Sequence, residues 1–305
     1  MERSEEKAGN PLEISKGAFG EKKLIEVIQD RARRKELFYS IEVTPSDPPL
    51  NLDSLQPPPL FASITWISDK NLVAFRKDPQ SCPALQWMKV LREKFPVLSH
   101  LTCLNMTPED LEGIVEVGDL KSILALQGDA SGPAPARFEH AVDLVRWLRQ
   151  RLPDATIGVA GYPHTHFLAL SPLDDLHRLR EKVEAGADFI ITQITFSSSD
   201  FIGFVRKCRF LKITCPMLPG VFIPPTFESL LFVTKISRIP VEEELWEKFK
   251  SKKDDLEAFQ EFSLNEAEKW MKEVLAECPE DVFGFHIFTW NNLEMTEKLI
   301  KRFKF

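Results

Sequence analysis

Short runs of apolar residues recur along this chain and alternate with longer stretches in which apolar residues stand three or four apart. An uninterrupted apolar run is typical of a strand buried on both faces, whereas the wider spacing is typical of a helix with one buried face. The predicted strands are residues 37–43, 60–66, 97–103, 122–126, 156–161, 189–193, 213–221 and 282–290. The predicted helices are residues 21–35, 81–95, 138–152 and 172–185, one that begins at Thr107-Pro108, and charged helical segments within 241–277.

Strands that alternate with helices in this way predict an α/β fold. A single (β/α)8 TIM barrel is favoured over a doubly wound sheet, because no Gly-x-Gly-x-x-Gly turn follows the first strand. The helix at 21–35 would cover one end of the barrel as an N-terminal helix. Six prolines within residues 45–59 leave no room for a full helix, so the first β-α crossover should be short. We expect a mobile tail over 1–18 and one barrel domain over 19–305.

Composition narrows the class of protein. A net charge of −7 gives no support to a nucleic-acid-binding surface. No apolar run approaches the roughly 18 residues of a membrane span, and the first twenty residues lack the apolar segment of a secretory signal. The five cysteines are scattered, which favours reduced thiols over a disulfide framework or a zinc site. We therefore expect a cytoplasmic protein without a metal and without nucleic-acid or membrane partners.

Polar residues follow several predicted strands at their carboxyl ends, which in a parallel barrel meet at one mouth. These residues are Glu42, Thr65, His100, Asp129, Tyr162, His166 and Gln193. Any one of them could be structural, as a rim acid, a core histidine or a turn residue. Seven at equivalent positions predict a shared site, in which the two carboxylates could hold different pKa values and divide acid and electrostatic roles. Neither metal-ligand spacing nor a serine nucleophile turn is present, which favours chemistry supplied by a cofactor.

The sequence motifs at these strand ends resemble those of a known family. In chain order they read Ser-Ile-Glu-Val-x-Pro, Ile-Thr-Trp, His-Leu-Thr-Cys, Leu-x-Gly-Asp, Val-Ala-Gly-Tyr-Pro-x-x-His, Ala-Gly-Ala-Asp-Phe-Ile-Ile-Thr-Gln and Cys-Pro-x-x-Pro-Gly. The set resembles methylenetetrahydrofolate reductase, and most closely the catalytic domain of its eukaryotic members. The resemblance implies an FAD-containing barrel of one-carbon and methionine metabolism. Reduced nicotinamide passes hydride to the flavin there, and 5,10-methylenetetrahydrofolate is then reduced to 5-methyltetrahydrofolate.

The resemblance also implies roles for individual residues. Glu42 matches the general acid that helps open the five-membered ring of the folate, and Asp129 matches the carboxylate between flavin and pterin. Cofactor contacts are implied for Thr65, Trp66, His100, Gln127, Gly128, Asp129, His140, Ala141, Tyr162, His166, Asp175 and Lys182. Substrate contacts are implied for Asp129, for Gln193 as the amide that binds the pterin, for Phe227 as a stacking aromatic ring, and for Phe288 and Asn292.

The chain departs from the family pattern at several of these motifs. Glu-Phe-Phe-Pro-Pro becomes Glu42-Val-Thr-Pro-Ser46, Leu-Arg-Gly-Asp becomes Leu126-Gln-Gly-Asp129, His-Pro-Glu becomes His166-Phe-Leu168, and Tyr-Thr-Leu-Asn-Arg becomes Phe288-Thr-Trp-Asn-Asn292. Each lost arginine would remove a charge-assisted contact worth about 1.5–3 kcal/mol. The S-adenosylmethionine-binding regulatory domain of the eukaryotic enzymes is not matched, so we expect no inhibition of that kind.

Three functions stay open at this point. The first is an NADH- or NADPH-dependent reductase of methylenetetrahydrofolate, since Glu42, Asp129 and Gln193 are retained. The second is a catalytically silent paralogue that binds folate or flavin weakly, or that partners a full-length reductase. The third is a barrel reductase that acts on a different pterin-like substrate. The sequence leaves open whether the chain forms a homo-oligomer.

Overall fold

The computed structural model describes residues 22–46, 50–66, 68–128 and 138–305, with the backbone alone for residues 68 and 69. Asp129 and the predicted tail at 1–18 lie outside the described residues. Eight parallel strands pair in chain order and close into a barrel, which confirms the predicted (β/α)8 fold. The strands are β1 (Phe38–Val43), β2 (Ala62–Ile64), β3 (Val97–Thr102), β4 (Ser122–Leu126), β5 (Thr156–Gly161), β6 (Phe189–Ile194), β7 (Met217–Val221) and β8 (Gly284–Phe288).

The helices surround this barrel, and one of them closes its lower end, which is the end at which the strands begin. They are α1 (Leu24–Arg34), α2 (Ser68–Lys77), α3 (Pro83–Leu91), α4 (Pro108–Gly118), α5 (Ala141–Arg151), α6 (Pro172–Glu184), α7 (Ser198–Phe210), α8 (Phe227–Ser237), α9 (Glu243–Lys250), α10 (Leu256–Glu277) and α11 (Leu293–Phe303). Leu24 and Ile28 of α1 pack with the aromatic rings that fill the bottom of the barrel, among them Phe38 and Phe61. The described residues contain no helix between β1 and β2, as the proline density predicts.

Five predicted strands are longer than the observed ones, by one residue at β1 and β3 and by four residues at β2, β7 and β8. Residues 213–215 precede β7 outside the sheet, where the guanidinium of Arg209 donates hydrogen bonds to the carbonyls of Ile213 and Cys215. Strand β8 ends at Phe288 because Trp290 and Asn291 have left-handed backbones, with φ of 47° and 61°. A strand cannot continue through that region of backbone space.

Four helices, namely α2, α7, α8 and α11, are absent from the sequence prediction. Three of them begin at residues that signal a helix start. Ser197 accepts a hydrogen bond from the Asp200 N–H, Thr226 accepts one from the Ser229 N–H, and Asn292 accepts one from the Met295 N–H. Side-chain oxygens of this kind satisfy backbone donors that the first turn leaves free. Among the helices that the structure describes, none is long and apolar enough to cross a membrane.

The inner face of the barrel changes from apolar to polar towards the carboxyl ends of the strands. Phe38, at the bottom of β1, fills the space above Gly284 of β8, where an added Cβ would lie 2.5 Å from its ring. Two residues further along β1, Ser40 faces His286 of β8, and both are fully buried. Strand alternation places Glu42 on the same face one step higher, at the mouth.

Candidate active site at the barrel mouth

Glu42 is the acid at the carboxyl end of β1, where it pairs with Ser63 of β2 and Phe288 of β8. Its side chain is 17% exposed, and its Oε2 lies 3.6 Å from Nε2 of His100 on β3. Burial raises the pKa of Glu42 to about 8, because the ionised carboxylate loses solvation that the neutral acid does not need. At neutral pH this carboxyl group therefore carries its proton.

Two buried histidines lie beneath the acid. Burial lowers the pKa of His100 to about 3, so the contact between Glu42 and His100 is one between neutral groups rather than an ion pair. Nε2 of His100 lies 2.5 Å from the Ser63 hydroxyl. Nδ1 of His286 lies 2.7 Å from the Ser40 hydroxyl, and burial, with a smaller contribution from His100, lowers the pKa of His286 to about 3. The floor of the mouth thus offers hydrogen-bonding groups without charge.

The wall formed by β5 and α6 brings together four of the predicted cofactor residues. The rings of Tyr162 and His166 are 4.5 Å apart, and the His166 backbone N–H donates to Asp175 over 2.9 Å. Nζ of Lys182 donates to the carbonyl of Ala160 over 2.6 Å and lies 5.9 Å from the centre of the Tyr162 ring. Burial raises the pKa of Asp175, and it lowers the pKa of Lys182 to about 8 against the opposing effect of Asp175. An ammonium, a phenol and an imidazole beside a carboxylate could hold the pyrophosphate and ribose of a cofactor.

The turn after β4 is closed by the amide of Gln127. Its Nε2 donates to the carbonyl of Glu139 over 2.9 Å, which joins the end of β4 to the start of α5. Gly128 has a φ of 92°, a conformation that suits glycine and lets a ligand approach the backbone closely. The His140 backbone N–H donates to Asp143 over 3.1 Å, and Ala141 is the first residue of α5. Gln127 therefore has a structural partner in addition to its predicted role beside the cofactor.

Thr65 and Trp66 follow β2 on the opposite wall. The Thr65 hydroxyl donates to the hydroxyl of Thr44 over 3.1 Å, so the ends of β1 and β2 are tied together above the sheet. Trp66 is 6% exposed and packs in the layer between strands and helices. Its Nε1 has no hydrogen-bond partner among residues 22–46, 50–66, 68–128 and 138–305.

The predicted substrate residues do not all share one environment. Phe288 ends β8 and meets the His286 ring edge-on at 5.1 Å, directly beside Glu42 in the sheet register. Gln193 is the penultimate residue of β6, and its Oε1 accepts the backbone N–H of Ile194 over 2.9 Å. Phe227 is only 9% exposed, and its ring packs 5.4 Å from that of Trp246 in a separate apolar cluster.

Asn292 has a clear structural role. Its Oδ1 accepts the backbone N–H of Met295 over 3.1 Å and so caps α11. An arginine at this position could not accept that hydrogen bond, because a guanidinium has donors alone. The departure from the family pattern at Asn292 therefore supplies a helix cap in this chain.

Helix α8 and Arg238, the residue that follows it, contact two loops at the mouth, through residues that the sequence analysis did not single out as site residues. The Arg238 guanidinium carbon lies 3.9 Å from the centre of the Phe167 ring in the β5-α6 loop. The Phe232 ring meets Trp290, in the β8-α11 loop, edge-on at 5.6 Å. Phe167 and Trp290 are both departures from the family pattern, so these substitutions provide the aromatic surfaces on which α8 rests. The sequence shows both aromatic substitutions, but helix α8, which contacts them, was not predicted from it.

Comparison with known proteins gives this architecture a family. The family model described as methylenetetrahydrofolate reductase matches residues 27–304, which is most of the chain. This chain belongs to the methylenetetrahydrofolate reductase family. The match extends across the barrel from α1 to α11, so it includes every described residue of the mouth discussed above.

Individual relatives agree with this membership. Methylenetetrahydrofolate reductase 2 of Schizosaccharomyces pombe is 31% identical over 309 residues, which cover 91% of this chain and 47% of that protein. A probable methylenetetrahydrofolate reductase (NADH) of Oryza sativa is 28% identical over 302 residues, covering 88% of this chain and 48% of that protein. The chain thus spans about half the length of these curated relatives.

A solved structure supports the fold independently. A protein from Clostridium thermocellum, described as binding two copies of 5-methyl-5,6,7,8-tetrahydrofolic acid, superposes with a TM-score of 0.61. The superposition covers 91% of this chain and 99% of that one, with 13% sequence identity. At this identity the likeness shows a shared barrel fold.

Proposed function

We propose that this chain is the catalytic barrel of an FAD-dependent oxidoreductase. In this proposal NADH or NADPH is the reductant, and 5,10-methylenetetrahydrofolate is reduced to 5-methyltetrahydrofolate in one-carbon metabolism. The observation that carries the proposal is Glu42, an acid at the barrel mouth whose pKa of about 8 keeps it protonated at neutral pH. Ring opening of the folate needs a proton donor, and a general acid works best when its pKa lies near the working pH.

The proposed division of labour follows from the walls of the mouth. Glu42 would give its proton to the folate nitrogen that leaves as the five-membered ring opens, while the neutral His100 beneath it adds no competing charge. Lys182, Asp175 and Tyr162 would hold the pyrophosphate and ribose of FAD, with His166 beside them. FAD, when bound, supplies the hydride chemistry that these side chains lack. Gln193 would turn its amide from its own backbone towards the pterin.

The direct test of this proposal is to follow the flavin absorbance of the purified protein. We expect FAD to copurify or to bind on addition, NADH or NADPH to bleach the flavin absorbance, and methylenetetrahydrofolate to restore it under anaerobic conditions. A preparation that stays colourless after FAD is added would contradict the proposal and support a silent paralogue. A flavin that NAD(P)H reduces but that methylenetetrahydrofolate does not reoxidise would point to a different substrate.

Gln127→Arg is expected to tighten FAD binding by roughly fivefold. A charge-assisted hydrogen bond is about twice as strong as a neutral one, and the difference of about 1 kcal/mol corresponds to that factor. The Glu139 carbonyl, which now accepts the Gln127 amide, can accept a guanidinium N–H equally well. The measurement is an FAD titration of the apoprotein followed by flavin fluorescence.

The matched control for this substitution is Gln150→Arg, on the exposed side of α5. It adds the same charge away from the turn after β4. Unchanged or weaker FAD binding in Gln127→Arg, or equal tightening in both variants, would show that the neutral amide of Gln127 does not weaken FAD binding.

The cytoplasmic location of the protein, and its association with itself or with a full-length reductase, remain predictions from the sequence.

A further inference from the structure

The loop that follows β8 is bonded to the end of β1 by two side chains. Oδ1 of Asn291 accepts the Thr44 N–H over 2.9 Å, and Nδ2 of the same amide donates to the Thr44 carbonyl over 2.9 Å. The Thr289 hydroxyl donates to the carbonyl of Glu42 over 2.6 Å. The backbone of residues 42–44, which carries the proposed acid, is thus held from one side by Thr289 and Asn291, which we call the β8-β1 clamp.

Side chains of the clamp make the bonds between β8 and β1 at this point because the backbone pairing of the two strands has ended. Regular pairing between β1 and β8 stops at the Glu42–Phe288 pair. The left-handed backbone of Trp290 and Asn291 then turns the loop away from β1. A carboxamide presents one acceptor and one donor, as a peptide group does, so Asn291 can bond both backbone groups of Thr44 in place of a strand residue.

The clamp is itself held in place from within its own loop. The Thr289 hydroxyl accepts the Asn291 backbone N–H over 3.0 Å, which links its two members. The Asn292 side chain caps α11 immediately afterwards. On the other side of β1, the Thr65 hydroxyl donates to the Thr44 hydroxyl over 3.1 Å. The segment that carries Glu42 is therefore fixed by both of its neighbouring strand ends.

We propose that Thr289 and Asn291 are positioning residues for Glu42, which hold the end of β1 so that the carboxyl group stays packed inside the mouth against His100. This inference rests on the proposed function for its catalytic meaning. In this proposal neither Thr289 nor Asn291 contacts the substrate. Their effect acts through the backbone at Glu42 and Thr44, the two residues that they bond.

If the clamp positions Glu42, loosening it should lower the pKa of Glu42. Loss of a contact that only stabilises the fold would leave that pKa unchanged. Among the described residues, the titratable groups that face Glu42 from other strands are His100 of β3 and, one level below, His286 of the adjacent β8. Both are neutral, so burial is the main cause of the raised pKa. If β1 frays and water reaches the carboxyl group, its pKa should fall towards 4.5, the ordinary value for glutamate.

The experiment compares Thr289→Val and Asn291→Ala with two controls in the holoenzyme. Thr289→Ser keeps a hydroxyl and should preserve the parental behaviour. Thr296→Val removes a buried hydroxyl of α11 that donates to the carbonyl of Asn292, the cap residue of that helix, and not to β1. The measured quantity is the pH dependence of the folate half-reaction, with kcat and KM determined separately.

For Thr289→Val and Asn291→Ala we expect the upper pKa of the kcat profile to fall from about 8 by at least about one unit, which lowers the rate at pH 8 about fivefold or more. Flavin content and flavin reduction by NAD(P)H should match the parent. A fall in rate with an unmoved profile, or an equal shift in Thr296→Val, would overturn the positioning role.

A second readout separates this inference from the proposed reaction. Difference infrared titration follows the band of the protonated Glu42 carboxyl group, identified by its loss in Glu42→Gln. A midpoint that falls in both clamp variants supports the positioning role even if the parent protein fails to reduce methylenetetrahydrofolate. A midpoint that stays near 8 in both variants would overturn it, whatever the activity of the parent.

Discussion

Glu42→Gln is expected to slow the folate half-reaction by about 10²–10⁴-fold while FAD binding and flavin reduction by NAD(P)H stay close to the parental values. The amide has nearly the shape of the protonated acid but cannot deliver its proton. Since Glu42 is neutral at pH 7, the substitution also leaves the charge of the mouth unchanged at that pH. The loss should therefore appear in the one step that needs a proton donor.

The two half-reactions can be followed separately by anaerobic stopped-flow absorbance of the flavin. The matched control is Glu243→Gln, which removes an exposed carboxylate from α9. Equal slowing of both half-reactions in Glu42→Gln would show that Glu42 shapes the mouth rather than donating a proton. In the parent, the folate half-reaction should be level below about pH 7 and fall about tenfold per unit above pH 8, because only the protonated acid is active.

The strands were predictable because each one is buried on both faces. The run from Ser122 to Leu126 is apolar after its first residue and matches β4 without a shift, and residues 156–161 match β5 in the same way. Helix α8 was missed for a related reason. Its sequence, Phe-Glu-Ser-Leu-Leu-Phe-Val-Thr-Lys-Ile-Ser, is apolar on more than one face, with Leu231, Phe232 and Ile236 exposed. Periodicity alone does not separate such a helix from a strand.

The mouth was predictable because barrel topology gathers the strand ends. Glu42, Thr65 and His100 stand at the ends of three consecutive strands. In the structure Oε2 of Glu42 lies 3.6 Å from Nε2 of His100. The polar floor and the clamp were not predictable, since they depend on which strands become neighbours when the barrel closes. Thr44 and Asn291 are 247 residues apart, and no local pattern links them.

The departures from the family pattern also needed the structure. By sequence, Gln127 and Asn292 are losses of positive charge. In the structure one amide joins β4 to α5 and the other caps α11. A substitution that removes a ligand contact can at the same time satisfy backbone groups, and these second roles depend on local backbone geometry that residue type alone does not reveal.

Glu42→Gln is also expected to stabilise the folded protein at neutral pH. In the unfolded chain the carboxyl group titrates near 4.5, whereas in the fold its pKa is about 8. Between these two values the folded state binds more protons than the unfolded state, so the free energy of unfolding falls as pH rises. At pH 7 the fold must keep a proton that the unfolded chain releases, which costs about 3 kcal/mol at about 1.4 kcal/mol per pKa unit.

Glutamine avoids this cost because it has no proton to lose. The free energy of unfolding of Glu42→Gln should therefore equal that of the parent near pH 4, exceed it by about 3 kcal/mol at pH 7, and gain further up to about pH 8. Urea unfolding at a series of pH values, with FAD at the same saturation in both proteins, measures this difference. The exposed Glu243→Gln control should show no comparable rise. A difference that does not depend on pH would mean that Glu42 is ionised in the fold, which would remove the physical basis for its role as an acid.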